Sequence, residues 1–171
     1  CTIKPNVGEV GVPDERLDTL ASIAGSKEII PTRLTFVDIA GLVRGASKGE
    51  GLGNKFLSHI REVDAVAYVL RCFEDGDVTH VENRIDPIAD ADTVETELML
   101  ADLESVEKRA AQIEKKAKSG DKDAKAQLAI MEKALALLRE GKPARLAQIT
   151  PEEMPIFRGL QLLTSKPVLY V

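Results

Sequence analysis

The sequence predicts an α/β fold with a mostly parallel sheet, into which an antiparallel helical coiled-coil hairpin is inserted. Apolar runs at 34–39 and 65–72 flank a glycine-rich loop and a helical pattern, an order typical of a β–α–β unit. After residue 90 the apolar residues adopt heptad spacing, and a strand-like run returns at 167–171. We therefore expect an α/β domain formed by 1–89 and 143–171, with the hairpin at 90–142.

Composition narrows the class of protein. The 171 residues are enough for one domain with a core, and the net charge of −5 argues against a general nucleic-acid binder. Cys1 and Cys72 form no C-x-x-C, so neither a zinc site nor a disulfide framework is indicated. No signal peptide is recognisable, and no apolar run approaches the ~20 residues of a membrane helix. We expect a cytoplasmic monomer without membrane contact, and read the chain as a fragment because it starts at Cys1 and stops in an apolar run.

The chain begins with a polar loop at 1–8 that contains Thr2. A hydroxyl in such a loop can bind Mg²⁺ beside a γ-phosphate, but the local pattern alone favours an ordinary loop threonine. A short strand at 10–12 follows, and Asp14 is placed to cap a helix at 15–24.

The central stretch, 34–53, predicts a buried strand that delivers Asp38 to a loop. Asp38 and Gly41 have the D-x-x-G form that places an acid beside the Mg²⁺ of a nucleotide and a backbone N–H beside its γ-phosphate. A plain strand followed by a turn gives the same short pattern. Further glycines favour a mobile loop, namely Gly45, Gly49, Gly51 and Gly53.

A helix is predicted at 54–62, followed at 65–72 by a strand buried on both faces. The loop beyond that strand, 73–86, carries His80, which would share an edge of the sheet with Asp38 if both strands are parallel. A solvated loop histidine is the alternative. His59, the other histidine, is expected to be a surface or packing residue.

The hairpin is predicted from two heptad seams interrupted at 119–121, where Gly120 is the expected helix stop. Between Lys108 and Lys125 there are seven bases against three acids, so its tip is basic on an acidic protein. Such a patch can bind phosphate backbones, or it can be a solvated helical surface. The lysines considered for RNA or ribosome contact are Lys115, Lys116, Lys118 and Lys122.

After the hairpin, Thr150 and Glu153 have capping-box spacing, with Pro151 at the first helical position. This predicts a helix that ends near Gly159. The run at 167–171 then predicts a strand that returns the chain to the sheet.

Four stretches together resemble the YchF subfamily of Obg-like P-loop NTPases, which have a Ras-like G domain. They are CTIKPNVG at 1–8, FVDIAGLVRGASKGEGLGNKFL at 36–57, IREVDAVAYVLRCF at 60–73 and KAKSGDKDAKAQLAIMEK at 116–133. The resemblance covers nearly the whole chain, and DIAGLVRGASKGEGLG is far more specific than D-x-x-G alone.

The resemblance implies roles for individual residues. Thr2 would lie in switch I and bind Mg²⁺, while Asp38 and Gly41 would contact the metal's water shell and the γ-phosphate. Leu42 falls where Ras-like GTPases carry the glutamine that orients the attacking water, which a leucine side chain cannot do. His80 becomes the candidate for that task, and the glycines from 45 to 53 would form switch II.

The family motifs for the Walker A loop, base recognition and the TGS domain are not in this sequence. We therefore expect this segment alone to be inactive. The motif that distinguishes ATP from GTP is not among these residues, so both nucleotides remain candidates. The resemblance implies an Mg²⁺-dependent NTPase that acts as a regulatory switch, with the ribosome, its large subunit or rRNA as partner. The alternative is a binding module that docks its basic hairpin tip on RNA or protein.

Overall fold

The computed structural model describes residues 6–39, 52–75 and 85–171. The chain divides into two compact units, Cys1–Gly41 and Leu42–Val171.

In the first unit, strand β1 (Asn6–Gly11) pairs antiparallel with strand β2 (Arg33–Asp38), and helix α1 (Arg16–Ala24) lies between them in the sequence. The strand expected at 10–12 begins instead at Asn6, because each residue of β1 has a partner on β2. This antiparallel pair also departs from the mostly parallel sheet that the sequence predicted.

The two strands of the first unit are exposed, which corrects the prediction of a buried central strand. Val7, Leu34 and Phe36 retain between 48% and 62% of their accessible surface. Two strands and one short helix offer too little apolar surface to cover both faces of a ribbon. The predicted cap of α1 by Asp14 is wrong, because the helix begins at Arg16 with Glu15 as its N-cap and no side-chain cap. Asp14 Oδ1 instead accepts the backbone N–H of Arg16 at 3.1 Å, in the turn before the helix.

The second unit contains the parallel pairing. Helix α2 (Leu52–Glu62) leads to strand β3 (Val66–Tyr68), which pairs in parallel with strand β4 (Val168–Tyr170). The strand predicted at 65–72 is therefore shorter and not buried on both faces, and Val69 is 84% exposed. Backbone hydrogen bonds continue past the paired strands, since the Val171 N–H donates to the Tyr68 carbonyl and the Leu70 N–H donates to the Val171 carbonyl, both at 2.9 Å.

Two long helices dominate the second unit. Helix α3 (Pro87–Lys118) is followed by helix α4 (Lys122–Arg139), which returns along it. Gly120 has a φ of +100° in the turn, which favours glycine as predicted. Asp121 Oδ1 then accepts the Ala124 N–H at 3.0 Å and caps α4.

The core lies where the heptad seams of α3 and α4 pack against the segment that follows α4, residues 144–162. Val106, Ala134 and Leu162 are completely buried, and Ile130 is 2% exposed. This agrees with the predicted seams, because residues three and four apart share one helix face. The buried cluster consists of Val106, Ile130, Met131, Ala134, Leu135, Ala144, Phe157, Leu160 and Leu162.

The end of the chain contains a short helix between two 3₁₀ turns. Helix α5 (Met154–Gly159) lies between the turns Ala144–Leu146 and Leu163–Ser165. The capping box is confirmed, since the Thr150 N–H donates to Glu153 Oε2 at 3.0 Å and the Glu153 N–H to Thr150 Oγ1 at 3.4 Å. Regular helix starts at Met154, however, because 151–153 form a turn.

Candidate functional site

Asp38 is the predicted nucleotide-site residue that the structure describes most fully. It is the last residue of β2, and its register partner on β1 is Asn6. Its side chain is exposed at the carboxyl end of the strand. A single exposed carboxylate fits Mg²⁺, which takes oxygen ligands and commonly keeps several waters and phosphate oxygens.

Most of the other predicted site residues lie outside the described part of the chain. They are Thr2, Gly41, Leu42, Gly45, Gly49, Gly51 and His80. Gly53 is the second residue of α2. Within 6–39, 52–75 and 85–171, no group of three or more His, Cys, Asp or Glu side chains could hold a metal ion.

Helix α2 directly follows the glycine-rich stretch, and its apolar face is anchored. Leu57 and Ile60 are 6% and 2% exposed. These residues were predicted to share a helix face, and the predicted helix at 54–62 is confirmed with a start two residues earlier. This buried face holds α2 against the rest of its unit.

The carboxyl end of α2 is hydrogen-bonded to residues near the end of the chain, with donors on both sides. The Lys166 ammonium donates to the carbonyl oxygen of Arg61 at 3.0 Å and also to that of Val63. The Arg61 guanidinium donates to the Gln161 carbonyl at 2.7 Å. Burial lowers the pKa of Lys166, and Asp64 acts in the opposite direction.

Asp102 is a completely buried acid on α3. Its Oδ1 accepts the Leu163 N–H at 2.9 Å, and its Oδ2 accepts the Thr164 N–H at 2.8 Å and the Thr164 hydroxyl at 2.7 Å. Burial raises the pKa of Asp102, while the hydrogen bonds from Thr164 and Leu163 act to lower it. Three donors on one carboxylate satisfy the polar groups of a buried turn.

A second buried polar group joins β3 to α3. The Tyr68 hydroxyl donates to Glu95 Oε2 at 3.1 Å, and Glu95 Oε1 lies 2.7 Å from Arg145 Nη1. Burial raises the pKa of Tyr68 well above its usual value, and the neighbouring Glu95 carboxylate adds to this shift. The Tyr68 and Tyr170 rings also meet edge to face, with centroids 5.5 Å apart.

The basic hairpin tip has the exposure that binding would require. Lys115, Lys116 and Lys118 are in the last turn of α3, and Lys122 begins α4. All four side chains are exposed. Lys118 is paired with Glu114 at 2.7 Å, which leaves this exposed charge partly compensated.

A cleft of about 360 Å³ lies between α3, α4 and α5. Arg109 lines the cleft and donates a hydrogen bond to the Leu160 carbonyl at 2.8 Å. The carboxyl end of α5 therefore forms one wall of the cleft. Ile113 and Met131 form part of its apolar lining. This cleft was not predictable from sequence patterns, since its walls come from three separate helices.

Sequence reasoning missed Asp102, although a signal was present. Asp102 is one of several acids in the first half of α3, where acids in general suit the positive end of the helix dipole. Asp102 nevertheless lies four residues after Leu98 and four before Val106, both of them buried. An acid within an apolar stripe of helical period indicates a buried, hydrogen-bonded carboxylate.

No helix in the described ranges is long and apolar enough to cross a bilayer.

Comparison with protein families gives a match over residues 1–102 to the model described as 50S ribosome-binding GTPase. Among individual proteins, the chain is 53% identical over 171 residues to the ribosome-binding ATPase YchF of Bacillus subtilis. It is 52% identical over the same length to that of Haemophilus ducreyi. In both cases the whole chain is covered, but only 47% of the relative, so the chain spans about half the length of these relatives.

A solved structure is similar as well. The Schizosaccharomyces pombe YchF GTPase matches with a TM-score of 0.75 and 42% sequence identity, over 99% of this chain and 46% of that one. The predicted P-loop GTPase type of α/β fold with parallel strand pairing is thereby confirmed.

Proposed function

Because this chain belongs to the 50S ribosome-binding GTPase family, we propose that it is the switch-bearing part of a ribosome-associated enzyme that hydrolyses ATP or GTP. The observation that carries this proposal is the match of all 171 residues to relatives named ribosome-binding ATPases. The protein would be a cytoplasmic monomer that acts as a regulatory switch on the large ribosomal subunit.

Within this function, Asp38 and Thr2 would hold the Mg²⁺ that accompanies the nucleotide, and Gly41 would contact the γ-phosphate. Bound Mg²⁺ would neutralise charge on the phosphate oxygens. The exposure of Asp38 at the end of β2 supports its part in this assignment. The glycines at 45, 49, 51 and 53 would let switch II close over the nucleotide.

His80 is our candidate for the group that positions the attacking water. Leu42 stands where a glutamine would perform this task, and an aliphatic side chain cannot hydrogen-bond to water. Imidazole is the side-chain group that most often accepts or donates a proton in catalysis near neutral pH.

The test is multiple-turnover hydrolysis by the full-length protein with ribosomes. We expect His80→Ala to lower kcat by about 10²-fold or more, since a positioned proton-transfer group contributes about 10²–10⁴-fold. His59→Ala is the matched control, because His59 is the only other histidine. Unchanged turnover in His80→Ala would exclude this role, and absence of hydrolysis in the unmodified protein would overturn the enzymatic proposal.

A second candidate function is binding through the basic hairpin tip. The coiled-coil insertion at 90–142 would project Lys115, Lys116, Lys118 and Lys122 toward rRNA, and their exposure supports this. Each phosphate contact adds about 0.9 to the slope of log affinity against log salt on a duplex. Changing all four lysines to Glu should therefore weaken ribosome binding and flatten its salt dependence. If the variant and the unmodified protein bind ribosomes equally well and with the same salt dependence, the hairpin tip is not the ribosome-binding surface.

A further inference from the structure

The cleft between α3, α4 and α5 has the size of a ligand-binding site. Its volume of about 360 Å³ lies within the range of about 300–1,000 Å³ that is usual for such sites. One wall has no side chain, because α5 ends at Gly159, and nothing lies within 4 Å of the position that a Cβ would take there. Leu160 follows as the C-cap, and Gln161 then has a φ of +53°, the left-handed conformation that commonly ends a helix.

The lining of the cleft combines apolar side chains with amides. Met131 is buried, and Ile113 and Ile156 are half-buried. Gln112 on α3 and Gln127 on α4 also line the cleft, and both are exposed. A side-chain amide can donate and accept hydrogen bonds. The cleft therefore suits a ligand that is apolar on its faces and polar at its edge.

Arg109 is the one charged residue among the described residues that line the cleft. Its guanidinium donates to the Leu160 carbonyl at 2.8 Å, which fixes one edge of this planar group. Guanidinium planes stack on the bases of single-stranded RNA. A cation in the lining also disfavours a positively charged ligand.

The cleft continues along α3 into the basic hairpin tip. Lys115 and Lys116 follow Gln112 by three and four residues, so the three side chains share one face of the helix. On α4, the residue one turn before Gln127 is Asp123, an acid. The charges on the two helices therefore favour a polyanion that runs along α3 rather than along α4.

We propose that the cleft receives one unpaired base of ribosomal RNA, and that Lys115 and Lys116 contact the phosphates next to that base. The apolar walls pack against the faces of the base, and the amides of Gln112 and Gln127 bond to its edge. Proteins recognise single-stranded RNA through these two kinds of contact. That the RNA is ribosomal rests on the proposed function, whereas the base-binding cleft itself does not.

Filling the cleft tests the proposal. Gly159→Phe adds a side chain where there is open space. In the full-length protein, we expect this variant to bind ribosomes, and a mixed-sequence single-stranded RNA of about 16 nucleotides, about tenfold more weakly, the effect of losing one stacked base. Ala126→Phe is the matched control, since it adds the same ring at an exposed position of α4 that does not line the cleft.

The salt dependence of RNA binding separates base contacts from phosphate contacts. Each phosphate contact on a single strand contributes about 0.7 to the slope of log affinity against log salt, and a base contact contributes nothing. Gly159→Phe should therefore keep the slope of the unmodified protein. Lys116→Gln should flatten the slope by about 0.7, and Lys125→Gln, on α4, should not. A flatter slope in Gly159→Phe would overturn the binding of a base.

The two amides give a second test at exposed positions, where truncation leaves the core intact. The double variant Gln112→Ala, Gln127→Ala should bind the single-stranded RNA about fivefold more weakly, because hydrogen bonds to the base edge are lost. Gln148→Ala makes the same change at an exposed position outside the cleft and should bind normally. Equal binding by the double variant and Gln148→Ala would overturn recognition of the base edge.

The two probes distinguish failure of this proposal from failure of the proposed function. If Gly159→Phe binds ribosomes and RNA as tightly as Ala126→Phe does, the cleft does not hold a base. If only ribosome binding is weakened, or the unmodified protein does not bind the RNA, the cleft is not an RNA site, and a ribosomal protein is its partner in the first case. If the unmodified protein binds the RNA through the cleft but does not bind ribosomes, only the proposed ribosomal partner is refuted.

Discussion

Asp102 on α3 holds both polar groups of Thr164, a residue 62 positions later in the chain, with hydrogen bonds of 2.8 Å to its N–H and 2.7 Å to its hydroxyl. The carboxylate is completely buried, and burial raises its pKa. A buried acid of this kind is tolerated because its lone pairs are satisfied. Removing one acceptor therefore leaves a buried donor without a partner.

Asp102→Asn should lower the free energy of unfolding by about 1–3 kcal/mol, the cost of one unsatisfied buried group. The new amide brings a donor to face the N–H and hydroxyl donors of Leu163 and Thr164. Urea unfolding followed by far-ultraviolet circular dichroism measures the change. Glu104→Gln, an exposed position on the same helix, should shift stability far less, and an equal shift would contradict the buried-acceptor explanation.

Tyr68 should titrate at a higher pH than an ordinary tyrosine. Burial raises its pKa, and Glu95 adds to the effect. The folded pKa exceeds the unfolded one, so this tyrosine contributes stability below about pH 10 that is lost as the pH rises through the folded pKa. The absorbance at 295 nm of unmodified protein minus Tyr68→Phe isolates this group. A difference signal with a midpoint near pH 10 in the folded state would contradict the shift.

Gln161→Gly should stabilise the protein. A left-handed backbone costs a residue with a side chain about 1–3 kcal/mol, and glycine adopts it freely, while its greater freedom in the unfolded chain costs about 0.4–1 kcal/mol. We expect a net gain of about 1 kcal/mol, measurable as a higher midpoint in thermal unfolding. Gln148→Gly, at a position without this conformation, should be destabilising instead.

Leu162→Ala should be among the most destabilising substitutions in the second unit. Leu162 is 0% exposed and belongs to the main cluster, so truncation leaves a cavity that costs about 2–5 kcal/mol. Leu146→Ala makes the same change at a side chain that is 57% exposed and should cost much less. Similar losses in the two variants would show that the cluster does not carry the stability of this unit.

The helical periods and two of the local stop and start signals were predictable from the sequence. The seams of α3 and α4, the turn at Gly120 and the capping box of Thr150 and Glu153 all depend on residues three or four apart. Such contacts arise from helix geometry whatever the rest of the chain does. The family followed from the D-x-x-G stretch and its neighbours for a related reason, since that stretch is contiguous.

Strand length and burial were predicted less well. The run at 65–72 is apolar apart from Arg71, yet only Val66–Tyr68 form β3, because strand length depends on the pairing partner as well as on composition. The strand at 10–12 extended to Asn6 for the same reason, since β2 pairs with it along six residues. The apolar composition of a segment indicates how much surface it can bury, but it does not indicate which strand will pair with it or over how many residues.

The sequence by itself determined the helical periods, the capping box of Thr150 and Glu153, and the motif that carries Asp38. Only the tertiary structure decided that Asp102 would meet Thr164, that Lys166 would cap α2, and that Tyr68 would face Glu95. These pairs are between 27 and 105 residues apart. Their partners are chosen by how whole elements pack, and no local period records that choice.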